Sequence, residues 1–447
     1  MRGGDSTTTL KRRRSRISQS TSVEELMAPV SSEIKNISID DLPDVVLVEI
    51  LGRLPRYKFV SQCKLVSKRW CHLMSNAYFI GRFLCLQRDH KQTRTIINRS
   101  GYEFLTRISA SANPLSLLFK RLKSFHRLQE EPVVVSTYND LVLCCASMCE
   151  QRDYYICNPC TLQWVPLPPP PQVDQIVPIG FICDQPYHNC KKDDQGGHII
   201  QLNAEYRCKV MRLIFPYGQE CACKKFKVQI FSSETGEWRE SNVSSPSDIN
   251  FYVINYEANF IYNGMLFWGG AGCGPCGNFL IGLDPFMIDS SCGSNGDDYY
   301  ECRFIELELD RPFMFECLGT YRGCLRMCDY NSATRVLSVR DLNEEEILFH
   351  GGTVKLGMEN MKVYSLDKEM MPDDDPTGNL MLGFDPYDDD ILYLQRGGDS
   401  DIVKCDIHTR EWSKIAENRR MESCVYFPFV VPWWPTPVPR LPHQKLV

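Results

Sequence analysis

The chain has 447 residues, of which 43% are hydrophobic and 24% are charged, the balance of an ordinary globular protein with room for several domains. Its net charge of −6 argues against a dedicated nucleic-acid-binding protein, because such domains are usually strongly basic. No secretory signal precedes the 22 cysteines and no run approaches a membrane span, so we expect no membrane association and a reducing compartment, the nucleus and/or the cytoplasm.

Residues 1–36 are polar, rich in Ser and Thr, and basic, which predicts a disordered tail. The basic cluster from Lys11 to Arg16 has two interpretations, a nuclear import signal and a merely solvated tail. Both remain open at this point.

Residues 38–85 predict a small helical domain. Asp41 is a suitable helix cap and Pro43 suits a first helical turn, where its missing N–H costs nothing. One apolar face recurs at three- and four-residue steps, formed by Leu47, Ile50, Leu51 and Leu54. So short a module cannot bury enough surface to be very stable alone, so we expect a partner to complete its burial.

The same stretch closely resembles an F-box. The matching pieces are Leu42-Pro43, Ile50-Leu51, Leu54-Pro55 and Val66-Ser67-Lys68-Arg69-Trp70. The segment Arg56-Tyr57-Lys58-Phe59 departs from the Lys-Ser-Leu-type sequence that F-boxes often carry there.

The resemblance implies binding to the Skp-type adaptor of the Skp–cullin–F-box (SCF) ubiquitin ligase and, through it, to cullin. It also implies a set of adaptor-binding residues: Leu42, Pro43, Ile50, Leu54, Pro55, Val60, Val66, Lys68 and Trp70. The alternative is that these residues only pack the module's own core. For Trp70 and Leu51 this alternative carries weight, whereas for Leu42-Pro43 we favour the interface.

Residues 86–130 form a connecting segment of mixed character, and residues 131–435 have a different texture. Short β-branched and aromatic runs alternate there with clusters of Gly, Pro, Asn and Asp, which predicts many short antiparallel strands. The dipeptide Asn263-Gly264 predicts a tight turn between two of them. Residues 436–447 are a C-terminal tail, and we expect the preceding Trp433 and Trp434 to cover the edge of a core.

A weak repeat runs through this β-rich region. Each copy has a polar turn-starting residue, then Thr three residues later and Trp three after that, with the turn starters and tryptophans being Asn158 and Trp164, Ser232 and Trp238, and Asp406 and Trp412. Each copy predicts a β-hairpin whose Trp is buried between layers. The tryptophans lie 74 and 174 residues apart, which fits about two and four propeller blades of ~40–50 residues. A β-sandwich or a pair of irregular β domains is the alternative.

This region also resembles the F-box-associated propeller of plant F-box proteins, through the turns at 158–164 and 263–268, the segment 318–325 and the ending Trp433-Trp434-Pro435. The expected fold class is therefore α+β multidomain, with a small helical F-box followed by a mainly antiparallel all-β propeller of about six or seven blades.

Cysteine pairs are the remaining candidates for chemistry. Cys273-Gly274-Pro275-Cys276 spells a redox dithiol, but no helix is expected after it to lower the thiol pKa. Four thiolates from Cys221, Cys223, Cys273 and Cys276, or the pair Cys157 and Cys160, suggest zinc only weakly, because the spacing is poor. We expect packing cysteines, no metal, no cofactor and no catalytic residue.

The sequence thus favours a non-catalytic substrate-recognition subunit of an SCF ligase, whose propeller recruits an unknown protein substrate through residues that the sequence does not identify. Two alternatives remain, a non-proteolytic F-box scaffold and a propeller enzyme or metal protein with an incidental helical N-terminus.

Overall fold

The computed structural model describes residues 38–87, 93–99, 114–173, 177–184, 187–192, 198–202, 206–214, 222–251, 254–270, 278–291, 299–307, 317–321, 324–331, 336–342, 353–356, 362–365, 380–385, 390–395, 401–417 and 426–442. The tail predicted to be disordered, residues 1–36, lies outside them. Contacts divide the chain into one unit of residues 1–47 and another of residues 48–447, which are described separately below.

Helices dominate residues 39–87, as predicted. A 3-10 helix, Ile39–Asp41, precedes four α-helices, and two more follow later in the chain. The α-helices are α1 (Asp44–Leu51), α2 (Tyr57–Cys63), α3 (Lys68–Ser75), α4 (Ala77–Gln87), α5 (Pro114–His126) and α6 (Pro285–Ser291).

Strands make up most of the remaining described chain. The first thirteen are β1 (Thr93–Asn98), β2 (Val133–Tyr138), β3 (Leu141–Cys145), β4 (Tyr154–Asn158), β5 (Gln163–Pro166), β6 (Ile179–Cys183), β7 (Tyr187–Lys192), β8 (His198–Leu202), β9 (Cys208–Ile214), β10 (Ala222–Ser232), β11 (Glu237–Asn250), β12 (Ile254–Tyr262) and β13 (Met265–Gly270). The others are β14 (Asn278–Leu283), β15 (Tyr300–Glu301), β16 (Arg303–Leu307), β17 (Cys317–Tyr321), β18 (Cys324–Asn331), β19 (Val336–Leu342), β20 (Thr353–Leu356), β21 (Lys362–Ser365), β22 (Leu380–Phe384), β23 (Ile391–Gln395), β24 (Asp401–Asp406), β25 (Trp412–Glu417) and β26 (Tyr426–Val431).

Within the described residues, these strands form five sheets of four or five strands. In chain order the sheets are β2-β3-β4-β5, β6-β9-β10-β11-β15, β12-β13-β14-β16-β20, β17-β18-β19-β21 and β22-β23-β24-β25. Neighbouring strands are antiparallel except where β15 and β20 join as parallel edges. Strands β7 and β8 form a separate two-stranded ribbon.

The first strands of the successive sheets, β2, β6, β12, β17 and β22, lie side by side in that order. This is the arrangement of blades in a β-propeller, which leaves only short sheet edges, and it confirms the predicted fold class. An antiparallel ribbon of β1 and β26 joins the fifth sheet to the first, because Ile96 packs against Tyr393 while Ile97 and Phe427 pack against the first sheet.

Apolar side chains fill the spaces between neighbouring sheets. Leu143 of the first sheet and Phe181 of the second share one cluster, and Met211 of the second and Trp268 of the third share the next. At Gly282, an added Cβ would lie 2.4 Å from the ring of Phe267, so only glycine allows these two strands to pair there. Close packing of these side chains fixes each sheet against the next.

The repeated hairpin is confirmed at β4–β5, β10–β11 and β24–β25. Each turn starter accepts a backbone N–H two residues on, for example His408 N–H to the Asp406 carboxylate at 3.0 Å. Four residues after each starter the backbone is left-handed, with φ of 57° at Leu162, 74° at Gly236 and 64° at Arg410. The predicted burial of the Trp fails in the last copy, where Trp412 is exposed.

The blade count predicted from the Trp spacing, about six or seven, is higher than the five sheets found in the described residues. The spacing misled because the sheets are longer than a 40–50-residue repeat. Trp164 and Trp238 lie in consecutive sheets, since the β7–β8 ribbon and the 11- and 14-residue strands β10 and β11 lengthen the second sheet. Among the described residues, the β1–β26 ribbon is the one further element of the ring.

The segment predicted as a connection, residues 86–130, contains part of the same β-rich core. Strand β1 pairs with β26, and helix α5 packs its apolar face against β1, β26 and the first sheet. The Pro-rich stretch after β26 has no regular structure through residue 442, and its Val438 and Leu441 are buried beside the first two sheets.

Candidate functional site

The helical module within residues 48–87 leaves several large apolar side chains in solvent. In the turn between α2 and α3, Leu65 is 86% exposed and Val66 is 61% exposed; Ile50, Phe59 and Tyr78 are also exposed. Exposed apolar side chains in such numbers mark surfaces that bind a partner.

The described part of the first unit begins with a capped turn. Ser38 and Asp41 form a reciprocal capping box, in which the Ser38 N–H donates to the Asp41 carboxylate at 2.8 Å. Asp41, predicted to cap the first α-helix, therefore caps the 3-10 helix before it. Pro43 is exposed and its carbonyl accepts the Leu47 N–H at 3.0 Å, while Leu42 is half-buried.

The nine residues expected to bind an adaptor differ in exposure. Five are exposed: Pro43, Ile50, Pro55, Val66 and Lys68. Leu42 and Leu54 are half-buried, whereas Val60 and Trp70 are buried within the chain itself. A helical period identifies an apolar face but not what covers it, so the sequence did not separate these groups.

Capping explains why Trp70 points inward. The Ser67 hydroxyl accepts the Trp70 N–H at 3.1 Å and starts α3 at Lys68, as predicted. Trp70 and Met74, four residues apart on this helix, then share its buried side. Lys68 and Val66 stay exposed on either side of this cap.

An ion pair joins α1 to α4. The Arg82 guanidinium donates to both carboxylate oxygens of Glu49, at 2.6 and 3.0 Å, and Arg53 donates to the same carboxylate at 3.2 Å. The hydrogen bond from Arg82 holds the pKa of Glu49 below its ordinary value. The side chain of Gln87 also donates to the Leu54 carbonyl at 2.8 Å, which fixes the end of α1 against α4.

Trp434, from the segment after the last strand, lies against the helical module. Its ring meets Tyr57, Phe79 and Phe83 edge-on at centroid distances of 5.0, 6.3 and 5.8 Å. The Lys64 ammonium lies 5.1 Å from the same ring, and burial lowers the pKa of that amine. Trp434 is 5% exposed, so the expectation that it covers a core edge is confirmed, whereas Trp433 is only half-buried.

Two residues further on, the chain is held by the first sheet. The Asp140 carboxylate accepts the Thr436 N–H at 2.8 Å, the Thr436 hydroxyl at 2.6 Å and the Asn158 amide at 2.7 Å. Burial raises the pKa of Asp140, although these hydrogen bonds oppose the rise. The Tyr206 hydroxyl donates to the Pro437 carbonyl. We call residues 434–441 the C-terminal strap.

The cysteine candidates are only partly described. Cys221 and the segment Cys273-Gly274-Pro275-Cys276 lie outside the described residues. Cys157 is buried on β4, and Cys160 is exposed in the turn that follows it. In the described part of the chain, no three His, Cys, Asp or Glu side chains are grouped as a metal site would require. None of the helices described there is long and apolar enough to cross a membrane.

Comparison with known proteins agrees with this architecture. Residues 39–87 match the F-box-like family, and residues 113–432 match the family "F-box protein At3g26010-like, beta-propeller". The structure and these matches together define an F-box protein with a β-propeller.

The second match covers more than half of the chain, which therefore belongs to the F-box protein At3g26010-like β-propeller family. Relatives from Arabidopsis thaliana include F-box protein At5g49610, 27% identical over 51% of this chain and 57% of that protein. F-box protein At3g28330 is 23% identical over 80% of this chain and 82% of that protein. F-box protein At3g26010 is 24% identical over 53% of this chain and 50% of that protein. The chain thus spans little more than half the length of the first of these relatives.

Proposed function

We propose that this chain is a non-catalytic substrate-recognition subunit of an SCF-type ubiquitin ligase. Its F-box binds a Skp-type adaptor and through it cullin, and its propeller binds a protein substrate. The observation that carries the proposal is the exposed apolar surface of the F-box helices, above all Val66 and Ile50, within a region that matches the F-box-like family.

The proposed contact residues follow from exposure. Those that face solvent at least in part can reach an adaptor: Leu42, Pro43, Ile50, Leu54, Pro55, Val66 and Lys68. Val60 and Trp70 are buried, so we assign them the role of supporting this surface from within the module. Removing an exposed contact costs binding without leaving a cavity in the fold.

Such a subunit needs no catalytic group of its own. Holding a substrate close to a ubiquitin-loaded enzyme raises the effective concentration of one toward the other, and this alone accelerates transfer. We place this activity in the nucleus and/or the cytoplasm, where the sequence predicts that the chain resides.

The test is binding of the full chain to a purified Skp-type adaptor. Val66→Ala is expected to weaken binding by about fivefold or more, the loss typical of a residue that matters in an interface. Val363→Ala is the matched control, because Val363 on β21 is 64% exposed, close to the 61% of Val66, and should bind like the wild type. The double variant of Leu42→Ala and Pro43→Ala should weaken binding as well.

A folded wild-type chain that does not bind the adaptor would refute the proposal. If the adaptor binds but the abundance of the propeller's partner stays the same when Val66→Ala replaces the wild type in cells, the chain is a non-proteolytic scaffold instead.

A further inference from the structure

Helix α5 has an outer face that nothing in the described chain covers. Its inner face, formed by Leu115, Leu118, Phe119 and Leu122, is buried against the first sheet and the β1–β26 ribbon. At 100° per residue, the exposed side chains of α5 after Pro114 fall together on the opposite side: Leu117, Lys120, Arg121, Ser124 and Phe125. This set is called the α5 outer face below.

The charge of this region is opposite to that of the whole protein. From Pro114 to Gln129 the sequence has four cations, Lys120, Arg121, Lys123 and Arg127, and no Asp or Glu, in a chain of net charge −6. Glu130 and Glu131 follow only after α5 has ended at His126. Among the residues that the structure describes, no carboxylate forms an ion pair with any of the four. Their combined field therefore favours an acidic ligand.

Two apolar side chains accompany these cations. Phe125 is 57% exposed although its ring is held edge-on by Trp164 at 5.7 Å and by His126 at 5.0 Å. Leu117 is 38% exposed and lies eight residues earlier, which is about 12 Å along the helix. An exposed aromatic ring that is already ordered loses little entropy on binding, which is typical of interface anchors.

We propose that the α5 outer face binds an acidic protein segment that carries two apolar residues about 12 Å apart, one for Leu117 and one for Phe125. In an extended segment, at about 3.3 Å per residue, these residues stand four positions apart. That this segment belongs to a ligase substrate rests on the proposed function, whereas the binding of the segment to the α5 outer face does not.

An acidic protein segment fits better than a nucleic acid. Leu117 offers an aliphatic contact that a phosphate backbone cannot use, and no second exposed ring stands beside Phe125 on this face to stack successive bases. The net charge of −6 also repels a polyanion approaching from a distance.

The experiment measures fluorescence anisotropy of a labelled synthetic peptide with the full-length protein. The peptide has twelve residues, ten Asp or Glu and two Leu placed four positions apart, and its partner peptide has Lys in place of each acidic residue. We expect binding of the acidic peptide, weakening as salt is added, and no binding of the basic one. Lys120→Glu should weaken binding about fivefold or more, and Phe125→Ala should do the same.

Lys224→Glu is the matched control, because Lys224 is also an exposed lysine, on β10, and its replacement changes the net charge equally. Equal binding by Lys120→Glu and Lys224→Glu would overturn the proposal. So would displacement of the peptide by single-stranded DNA or by vesicles of anionic lipid at comparable charge concentration, since the surface would then be a general polyanion site. Self-association of the protein that Phe125→Ala abolishes would assign the face to a second copy and also overturn it.

The two proposals fail separately in this design. Adaptor binding depends on Val66 and is measured without peptide, and peptide binding depends on Lys120 and Phe125 and is measured without adaptor. Peptide binding by a protein that does not bind the adaptor would refute the ligase function while the α5 site stands.

Discussion

Replacing Trp434 with Ala tests whether the C-terminal strap holds the F-box helices. The ring is 5% exposed and meets three aromatic rings edge-on at 5.0 to 6.3 Å. Each such pair contributes about 0.5–1.5 kcal/mol beyond its buried area. Truncation of a buried Trp costs about 3–5 kcal/mol in all.

A loss of that size is a large part of the ~5–15 kcal/mol that stabilises a typical domain. Here the whole loss comes from the contact between the helical module and the strap. We therefore expect Trp434→Ala to release helices α2 and α4 while the five sheets keep their structure. Hydrogen exchange by mass spectrometry should show faster exchange in Tyr57–Cys63 and Ala77–Gln87 and unchanged exchange in β9 and β10.

Trp433→Ala is the control, because Trp433 is the preceding residue of the same type but is only half-buried. Trp434→Phe keeps an aromatic ring and should lose less protection than Trp434→Ala. If α2 and α4 exchange equally fast in Trp434→Ala and in the wild type, the strap does not stabilise the F-box helices and the energetic reasoning is wrong.

Two further predictions concern charged groups. Because Arg82 lowers the pKa of Glu49 in the folded state, the pair contributes stability above the ordinary Glu pKa of about 4.3 and loses it as the pH falls through the lowered value. Glu49→Gln should lower the free energy of unfolding, measured with urea at pH 7, by about 0.2–1 kcal/mol for so exposed a pair, and should leave little difference in strong acid. Lys209 is 2% exposed and lies 2.5 Å from Asp289. Lys209→Ala removes the nearer cation and leaves that carboxylate with Arg239 at 3.7 Å, so it should cost about 1–3 kcal/mol in guanidinium unfolding, and a loss below 1 kcal/mol would contradict the pairing.

Local patterns carried most of what the sequence predicted correctly. The tight turn expected at Asn263-Gly264 exists, with φ of 46° and 76°, because Asn and Gly accept the left-handed backbone that a two-residue hairpin requires. Ser67 caps α3 for an equally local reason, because its hydroxyl oxygen lies three residues before the first-turn N–H of Trp70 and accepts it.

Such local patterns could not predict features that depend on residues far apart in the sequence. The Asn158 amide donates to the Thr436 carbonyl, and the two residues lie 278 positions apart in the sequence. The residues around Asn158 give no indication of this partner. Strand β1 likewise pairs with β26 from a distant part of the chain. Thr93, Thr95, Ile96 and Ile97 are β-branched residues typical of a strand, but nothing near them identifies β26 as the partner. Asn158 was recognised only as a turn starter, and its amide's second role in the strap was missed.

The strap also limits how freely helices α2 and α4 can move against the propeller's first sheet. Trp434 is packed among the rings of α2 and α4, and Thr436 is hydrogen-bonded to Asp140 in the β2–β3 turn. Two residues span at most about 7 Å, so these helices cannot move far from the first sheet without breaking one of the two attachments. In the proposed ligase, a substrate held by the propeller would therefore keep a nearly fixed distance from an adaptor bound at Val66 and Lys68, and its effective concentration at the ubiquitin-loaded enzyme would be set by this geometry instead of by a flexible linker.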